Sequence, residues 1–169
     1  MSLTEALDLC GIEHGEWYSL AAIKDRTIHA ECFERGDGER FLEAHESWNL
    51  YLCGNPVKPG THGKPTAADI VTARVLLMDA DPDPDEGAAR EAAVALHQFC
   101  GGTLVDSGRG TQVWVRVAPD LDRPRAGRGL ARKFKREGMK WDGTFNVDRL
   151  MRLPGYVNHK TGRVAKVLA

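Results

Sequence analysis

The feature that most constrains the fold of this chain is an apolar run that ends in acids. The strand-like run 75–78 leads directly into Asp79-Ala80-Asp81-Pro82-Asp83-Pro84-Asp85. Side chains alternate faces along a strand at roughly 3.3 Å per residue, so Asp79 and Asp81 would project from one face with Cα atoms about 6.6 Å apart. Because proline cannot donate a ladder hydrogen bond, we expect regular sheet to stop at Pro82. The two carboxylates would then lie at the carboxyl end of a strand and share a divalent cation, although a solvated Asp/Pro turn is the simpler alternative.

A calcium loop of the EF-hand type does not fit the same residues. Asp79, Asp81 and Asp83 match the first three ligand positions of such a loop. Pro84 stands where the loop needs glycine, and Arg90 stands where it needs a bidentate glutamate. The acids therefore predict a metal site of another kind.

Length and composition fit a single domain spanning 1–169, with 42% hydrophobic and 28% charged residues. No apolar run approaches the roughly 20 residues that cross a bilayer, and the N-terminus lacks the regions of a signal peptide. We therefore expect a soluble, cytoplasmic protein with no membrane partner. The cysteines at 10, 32, 53 and 100 form no C-x-x-C pair, and the histidines are not clustered, which argues against zinc and for reduced, mostly buried thiols.

Charge is unevenly distributed along the chain. Residues 1–50 carry eleven acids and four Lys or Arg, whereas residues 101–169 carry six acids and fifteen Lys or Arg. The segment 123–140 alone has eight basic residues and the single acid Glu137. A polyanion is the natural partner of such a surface, although a solvated helix face explains the run equally well.

The pattern of apolar residues predicts alternating helices and strands. Asp85 is expected to cap a helix whose apolar positions Ala89, Ala93, Leu96 and Cys100 face inward and which ends at Gly101. A basic helix is expected from about Ala126 to Glu137, and the Pro- and Gly-rich segment 55–69 is expected to be a mobile loop. Further helices are predicted near 2–9 and 39–46, and further strands near 17–23, 48–53, 73–81, 103–105, 112–117 and 163–168.

A glycine-rich turn joins two of the predicted strands. The segment Asp106-Ser107-Gly108-Arg109-Gly110-Thr111 could bring backbone N–H groups close to an anion, with Arg109 adding a positive charge. A Gly-rich hairpin turn is the commoner explanation of such a string. The turn is therefore a candidate phosphate site only in combination with other motifs.

The strongest motif is Arg149-Leu150-Met151-Arg152-Leu153-Pro154-Gly155-Tyr156-Val157-Asn158-His159-Lys160. In order and spacing with the D-x-D strand end, the S-G-x-G strand and the apolar-Asp pair Trp141-Asp142, it resembles the archaeo-eukaryotic primase superfamily. The resemblance is to primase-polymerase domains of phage and plasmid replication proteins, and it spans roughly residue 49 to the C-terminus.

The resemblance implies roles for individual residues. Asp79, Asp81 and Asp142 would be the catalytic, metal-binding acids, holding Mg²⁺ or Mn²⁺. Nucleotide-binding residues would be Ser107, Gly108, Arg109, Gly110, Gln112, Arg149, Arg152, Asn158 and Lys160. The basic run would supply nucleic-acid contacts through Arg128, Arg132, Lys133 and Arg136.

Two positions depart from the pattern of the family, and one role is contested. Gln112 stands where the family has histidine, and it can donate to a phosphate oxygen but cannot carry charge. Tyr156 replaces the threonine after Pro-Gly. Asp148 is a rival to Asp142 for the third acid. We otherwise expect Asp148 to pair with an arginine, with the three catalytic carboxylates within about 6 Å of one another.

The fold that the resemblance implies is α+β, with an N-terminal αβ module of about 1–70 packed on an RRM-like sheet with flanking helices at about 71–169. The activity would be template-dependent nucleotidyl transfer from NTP or dNTP by a two-metal mechanism, with single-stranded DNA as template. The chain would be a fragment of a larger replication protein in a prokaryotic, phage or plasmid context, with a helicase module or replisome protein as partner. Two alternatives stay open: a non-catalytic single-stranded nucleic-acid or origin-binding module, and a metal-dependent nuclease. A rolling-circle nicking enzyme is disfavoured because the sequence has no His-apolar-His pair.

Overall fold

The computed structural model of the protein describes residues 1–143 and 145–169. In these residues the chain forms four α-helices, which are α1 (Leu3–Cys10), α2 (Glu39–Ala44), α3 (Glu86–Cys100) and α4 (Arg123–Lys133). The first strands are β1 (Trp17–Lys24), β2 (Thr27–Glu34), β3 (Asn49–Cys53), β4 (Val75–Pro82), β5 (Thr103–Asp106) and β6 (Thr111–Arg116). The remaining strands are β7 (Met139–Trp141), β8 (Leu150–Arg152), β9 (Val157–Asn158), β10 (Arg163–Val164) and β11 (Lys166–Val167).

The strands make two antiparallel sheets and a short hairpin. The first sheet has the order β2-β1-β3-β8 and the second has the order β11-β5-β6-β4-β7, while β9 pairs with β10. The predicted α+β architecture is confirmed. The first sheet takes its edge strand β8 from the C-terminal part of the chain, so the two sheets are interleaved along the sequence.

Two hydrophobic cores hold the layers together. The first joins α1 and α2 to the first sheet and includes Leu77 and Trp114 from the inner face of the second sheet. The second core lies on the outer face of the second sheet, where α3 packs against Leu76 and Met78. Because side chains alternate along β4, the residues that follow Leu77 on the inner face are Asp79 and Asp81.

Most predicted elements are present, with shifts that have local causes. The helix α3 is capped by Asp85, whose carboxylate accepts from the backbone N–H groups of Gly87 and Ala88. Cys100, however, is exposed, because it lies at the last residue of the helix, beyond the sheet that covers Leu96. The basic helix starts earlier than predicted, where Asp122 accepts from Arg125 N at 3.0 Å.

The strand β2 was not predicted. It joins β1 through a turn in which Asp25 has φ 53°, a conformation that usually signals glycine in sequence. Its side chains are mostly exposed, so the strand lacks the apolar alternation that would mark it.

The four cysteines are free, with Cys10 and Cys53 buried, Cys32 half-buried and Cys100 exposed. Within the described part of the chain, no helix combines the length and the apolar character needed to span a bilayer.

Candidate active site

Asp79 and Asp81 lie on the inner face of β4, next to the edge of the first sheet. The strand ends at Pro82, as expected, where Pro82 pairs with Met139 of β7. Pairing with β6 on the other side ends at Ala80, so the missing N–H of Pro82 falls where no strand partner remains. The two acids thus stand on rigid sheet rather than on a turn.

The surroundings of Asp79 disfavour the ionised form of its carboxyl group. Burial, together with the negative charge of Asp81, raises the pKa of Asp79 to about 6. A hydrogen bond from Gln112 and the charges of Arg149 and Arg152 oppose this rise. A cation bound between Asp79 and Asp81 would relieve both the burial of charge and the repulsion.

Gln112 lies opposite Asp79 in the pairing of β6 with β4. Its Nε2 donates to Asp79 Oδ2 at 3.1 Å, and its Oε1 accepts from Trp114 Nε1 and from Arg152 N, each at 3.2 Å. The amide is buried and its donor faces a carboxylate. Gln112 therefore orients Asp79. The sequence had led us to expect that this amide would donate to a phosphate oxygen instead.

Asp142 is next to the acidic pair, because its backbone N donates to Asp79 O at 2.8 Å. Its carboxylate is held by Arg149 in a short ion pair. Among residues 1–143 and 145–169, no group of three or more His, Cys, Asp or Glu side chains is arranged to hold a metal ion. The expected convergence of three carboxylates is thus replaced by a pair, Asp79 and Asp81, beside an arginine-bound Asp142.

Asp148 does not pair with an arginine in the described structure. Its buried Oδ1 accepts no hydrogen bond from the described residues. It lines a separate depression of about 250 Å³ and does not line the cleft that holds Asp79. Its position supports Asp142 over Asp148 as the neighbour of the acidic pair.

The glycine-rich turn is closed on itself. Gly108 N donates to Asp106 Oδ1 at 2.8 Å and Gly110 N donates to Ser107 Oγ at 3.1 Å, so neither amide is open to an anion. The turn is fastened from the C-terminal motif, since Asn158 Nδ2 donates to Ser107 O at 2.9 Å. What the turn presents to solvent is the exposed Arg109 side chain.

Arg152 is buried and has a fixed orientation. Its guanidinium donates to Asn49 Oδ1 at 3.0 Å and to Tyr51 Oη at 2.8 Å, and it stacks 4.2 Å from the centre of the Tyr51 ring. Burial lowers the pKa of Arg152, and the acid Asp79 partly offsets this. Arg152 therefore contributes a positive charge near Asp79 and holds the Tyr51 side chain in place.

Tyr51 and Asn49 were not assigned a role from sequence. Asn49 Oδ1 also accepts from His159 N at 3.0 Å, which connects β3 to the last motif. Alternation along β3 places Asn49 and Tyr51 on one face, and this is the sequence signal that could have identified them.

These residues enclose a polar cleft of about 270 Å³. Most of the predicted site residues line it, whereas Gly108 and Gly110 do not. Its lining comprises Tyr51, Asp79, Asp81, Ser107, Arg109, Gln112, Asp142, Arg149, Leu150, Arg152, Asn158 and Lys160.

The basic segment 123–140 lies away from the cleft. In α4, Leu130 and Ala131 pack against the outer core together with Met78 and Ala80 of β4, which alternate with the acids. The predicted nucleic-acid contacts are exposed but lie outside the cleft, on the other side of the second sheet; they are Arg128, Arg132, Lys133 and Arg136.

The acidic pair lies on the second sheet, beside the edge strand β8 of the first sheet. The chain shares this fold with solved primase and primase-polymerase domains. A primase-polymerase domain from cyanophage S-2L superposes with a TM-score of 0.71 at 18% identity, covering 96% of this chain and 85% of that one. The catalytic domain of the primase Repb′, solved in complex with initiator DNA, superposes with a TM-score of 0.60 at 14% identity, covering 97% and 84%. No family model matches the sequence, and no curated protein is significantly similar to it.

Proposed function

We propose that this domain is a template-dependent primase-polymerase that transfers nucleotides from NTP or dNTP to a growing strand. The observation that carries the proposal is the cleft, which the acids Asp79 and Asp81 line together with the cations Arg109 and Lys160. Nucleotidyl transfer requires anionic oxygens for a metal and cations for the leaving pyrophosphate in one site. The shared fold with primase-polymerase domains supports this chemistry.

The residues present fit a divalent cation. Asp79 and Asp81 are oxygen donors on one face of a strand, and a bound cation would offset the burial and the repulsion from Asp81 that raise the pKa of Asp79. Mg²⁺ and Mn²⁺ prefer such oxygen ligands and keep several waters when the protein offers only two carboxylates. When bound, the cation would supply Lewis-acid stabilisation of phosphate oxygens. Asp142 would become a further ligand on release from Arg149.

The surrounding side chains supply orientation and charge. Gln112 holds Asp79 by a neutral hydrogen bond, and Arg152 keeps positive charge close to it without leaving the protein interior. Arg109 and Lys160 are exposed at the mouth of the cleft, where they can bind a triphosphate as it enters.

Two further depressions next to the cleft offer room for the rest of a nucleotide. Tyr51 also lines a depression of about 250 Å³ with Ile23 and Leu150, and another of about 460 Å³ with Trp48. These aromatic and apolar walls suit a base and a single-stranded template. In a longer protein, a helicase module or another replisome protein would deliver that template.

A primer-extension assay tests the proposal. With a primed DNA template, the wild-type domain is expected to extend the primer with Mg²⁺ or Mn²⁺, and parallel NTP and dNTP reactions identify the sugar. Asp79→Asn and Asp81→Asn are each expected to abolish extension. The matched control Asp120→Asn, at an exposed site, is expected to retain it. Extension by both cleft variants would disprove the metal-site assignment, and degradation of the template without nucleotide would indicate a nuclease.

A non-catalytic nucleic-acid-binding module is the second candidate. It is favoured by the ion pair between Arg149 and Asp142, which removes the third carboxylate from the acidic pair. The two candidates separate cleanly, because a binding module would retain DNA in a gel shift yet extend no primer with either metal.

A further inference from the structure

We propose that the outer surface of α4 is a second binding site, for single-stranded nucleic acid, separate from the cleft. The site consists of Arg125, Arg128 and Arg132, which we call the basic face, together with Lys133 and the aromatic ring of Phe99 at its edge. It goes beyond the proposed function because it lies on the opposite side of the second sheet from Asp79 and Asp81.

The geometry of the helix gathers the charges. At about 100° per residue, positions 125, 128 and 132 fall within about 60° of one another and span about 10 Å along the axis. All three arginines are exposed. Leu130 and Phe134 occupy the other side of the helix and pack on the outer core. The apolar residues of α4 therefore lie opposite the basic face, and Arg123 is the one arginine of the helix that is buried.

The basic face has no acidic partner in the described part of the chain. No carboxylate there lies within ion-pairing distance of Arg125, Arg128 or Arg132. The acid at the start of the helix, Asp122, is engaged as its N-cap. The ion pair closest along the chain joins Arg136 to Glu91 at 3.9 Å. Because no described carboxylate neutralises these arginines, all three are free to bind phosphates, and the release of counterions from the polyanion would contribute to the binding free energy.

Gly129 gives the surface its shape. It lies among the arginines of the basic face, and a Cβ built on it meets nothing within 4 Å. The helix backbone is thus open between the arginines, and a strand of phosphates can approach it closely. By contrast, Gly127 faces inward against the ring of Phe145, so the two glycines serve different purposes.

Phe99 distinguishes a single strand from other polyanions. Its side chain is 59% exposed, and Lys133 Nζ lies 4.2 Å from the ring centre. Phe134 supports the ring from below, at 5.5 Å between centroids. An exposed aromatic ring beside cations is the arrangement on which unpaired bases stack while their phosphates bind the basic residues.

Fluorescence anisotropy of a labelled single-stranded DNA oligonucleotide tests the site. The measurement uses EDTA and no nucleotide, so it does not depend on polymerase activity or on metal in the cleft. The variant Arg125→Gln/Arg128→Gln/Arg132→Gln is expected to reduce the slope of log affinity against log salt by about 2, at about 0.7 for each lost phosphate contact. A control variant, Arg26→Gln/Arg40→Gln/Arg90→Gln, loses the same charge at exposed positions elsewhere and is expected to keep the slope.

Phe99→Leu tests the stacking contribution by itself. It is expected to weaken binding at least about fivefold without changing the salt slope, since leucine has no aromatic ring for a base to stack on. Thermal melting checks that each variant is folded. Equal salt slopes in the two triple variants, or unchanged affinity for Phe99→Leu, would overturn the proposal and leave the basic face as a solvated surface or a site for an acidic protein.

Discussion

Gln112 donates from Nε2 to Oδ2 of Asp79 at 3.1 Å, across the paired strands β6 and β4. Its Oε1 accepts from the buried indole of Trp114 and from the backbone of Arg152, so the amide has one satisfied orientation. A neutral side chain thus stabilises the charged form of Asp79 and also fastens β6 to β8. Histidine at this position could not accept both N–H groups and still donate to the carboxylate.

Replacing Gln112 with methionine should show how much this hydrogen-bond network stabilises the fold. Methionine keeps the volume but leaves the Trp114 indole and the Arg152 N–H unpaired in a buried site, so the free energy of unfolding should fall by about 2 to 4 kcal/mol. Gln98→Met, on the exposed side of α3, should change it by less than about 0.5 kcal/mol. Urea denaturation of the two variants makes the comparison, and equal midpoints would show that the network contributes nothing.

Asp79→Asn should stabilise the metal-free protein in a pH-dependent way. The pKa of Asp79 rises from 3.8 to about 6 on folding, so the folded state binds the proton more tightly than the unfolded state does. The free energy of unfolding of the wild type should therefore decrease as the pH rises from about 4 to about 6. Asp79→Asn lacks this carboxyl group, so above pH 6 it should be more stable than the wild type by up to about 3 kcal/mol. Melting curves in EDTA at pH 4 and pH 7.5 should coincide at the lower pH and diverge at the higher. A constant difference, like that expected of exposed Asp120→Asn, would contradict the raised pKa.

Gly110→Ala should destabilise the turn that carries Arg109. A Cβ at Gly110 would meet Ala80 O at 2.5 Å and Asp81 Oδ1 at 3.3 Å, and the backbone of β4 cannot move away without loss of its pairing. We expect a loss of about 1 to 3 kcal/mol in the free energy of unfolding. Gly129→Ala is the matched control, because its Cβ meets nothing and alanine favours a helix by up to about 1 kcal/mol. Calorimetry should give shifts of opposite sign.

Arg152→Lys should lose more than a conservative change at the surface. The lysine ammonium cannot reach Asn49 Oδ1 and Tyr51 Oη together in the fork geometry that the guanidinium supplies. The free energy of unfolding should decrease by about 1 to 3 kcal/mol. Arg40→Lys, at an exposed site, should have almost no effect. If chemical denaturation gave the two variants the same stability, Arg152 would not be a structural support of the cleft.

Local chemistry made several elements predictable from sequence. The N-cap Asp85, the stop at Gly101 and the strand before Asp79 each follow from residues that are adjacent in the chain. The placement of Asp142 beside Asp79 followed from the resemblance of the motif order to primase-polymerases, and the backbone contact between them is present.

Other features depend on contacts between distant segments. Gln112 donates to Asp79, and Asn158 donates to Ser107 O, and no pattern of spacing reveals which donor finds which acceptor. The phosphate site at the glycine-rich turn stays a prediction, which now depends on Arg109 and not on the amides of Gly108 and Gly110. The basic run was predictable as a helix face, but its side of the sheet depended on how Gly127 and Phe145 pack.

The burden that Asp79 places on folding predicts how this chain would respond to selection. A library screened only for survival at high temperature should accumulate neutral residues at Asp79, because removing its charge relieves burial and repulsion together. A library screened for nucleotide incorporation should keep the acid and gain heat resistance elsewhere, at positions such as Gly129. The two lineages would diverge first at Asp79. An acid retained at this position would therefore show that a lineage had been selected for activity.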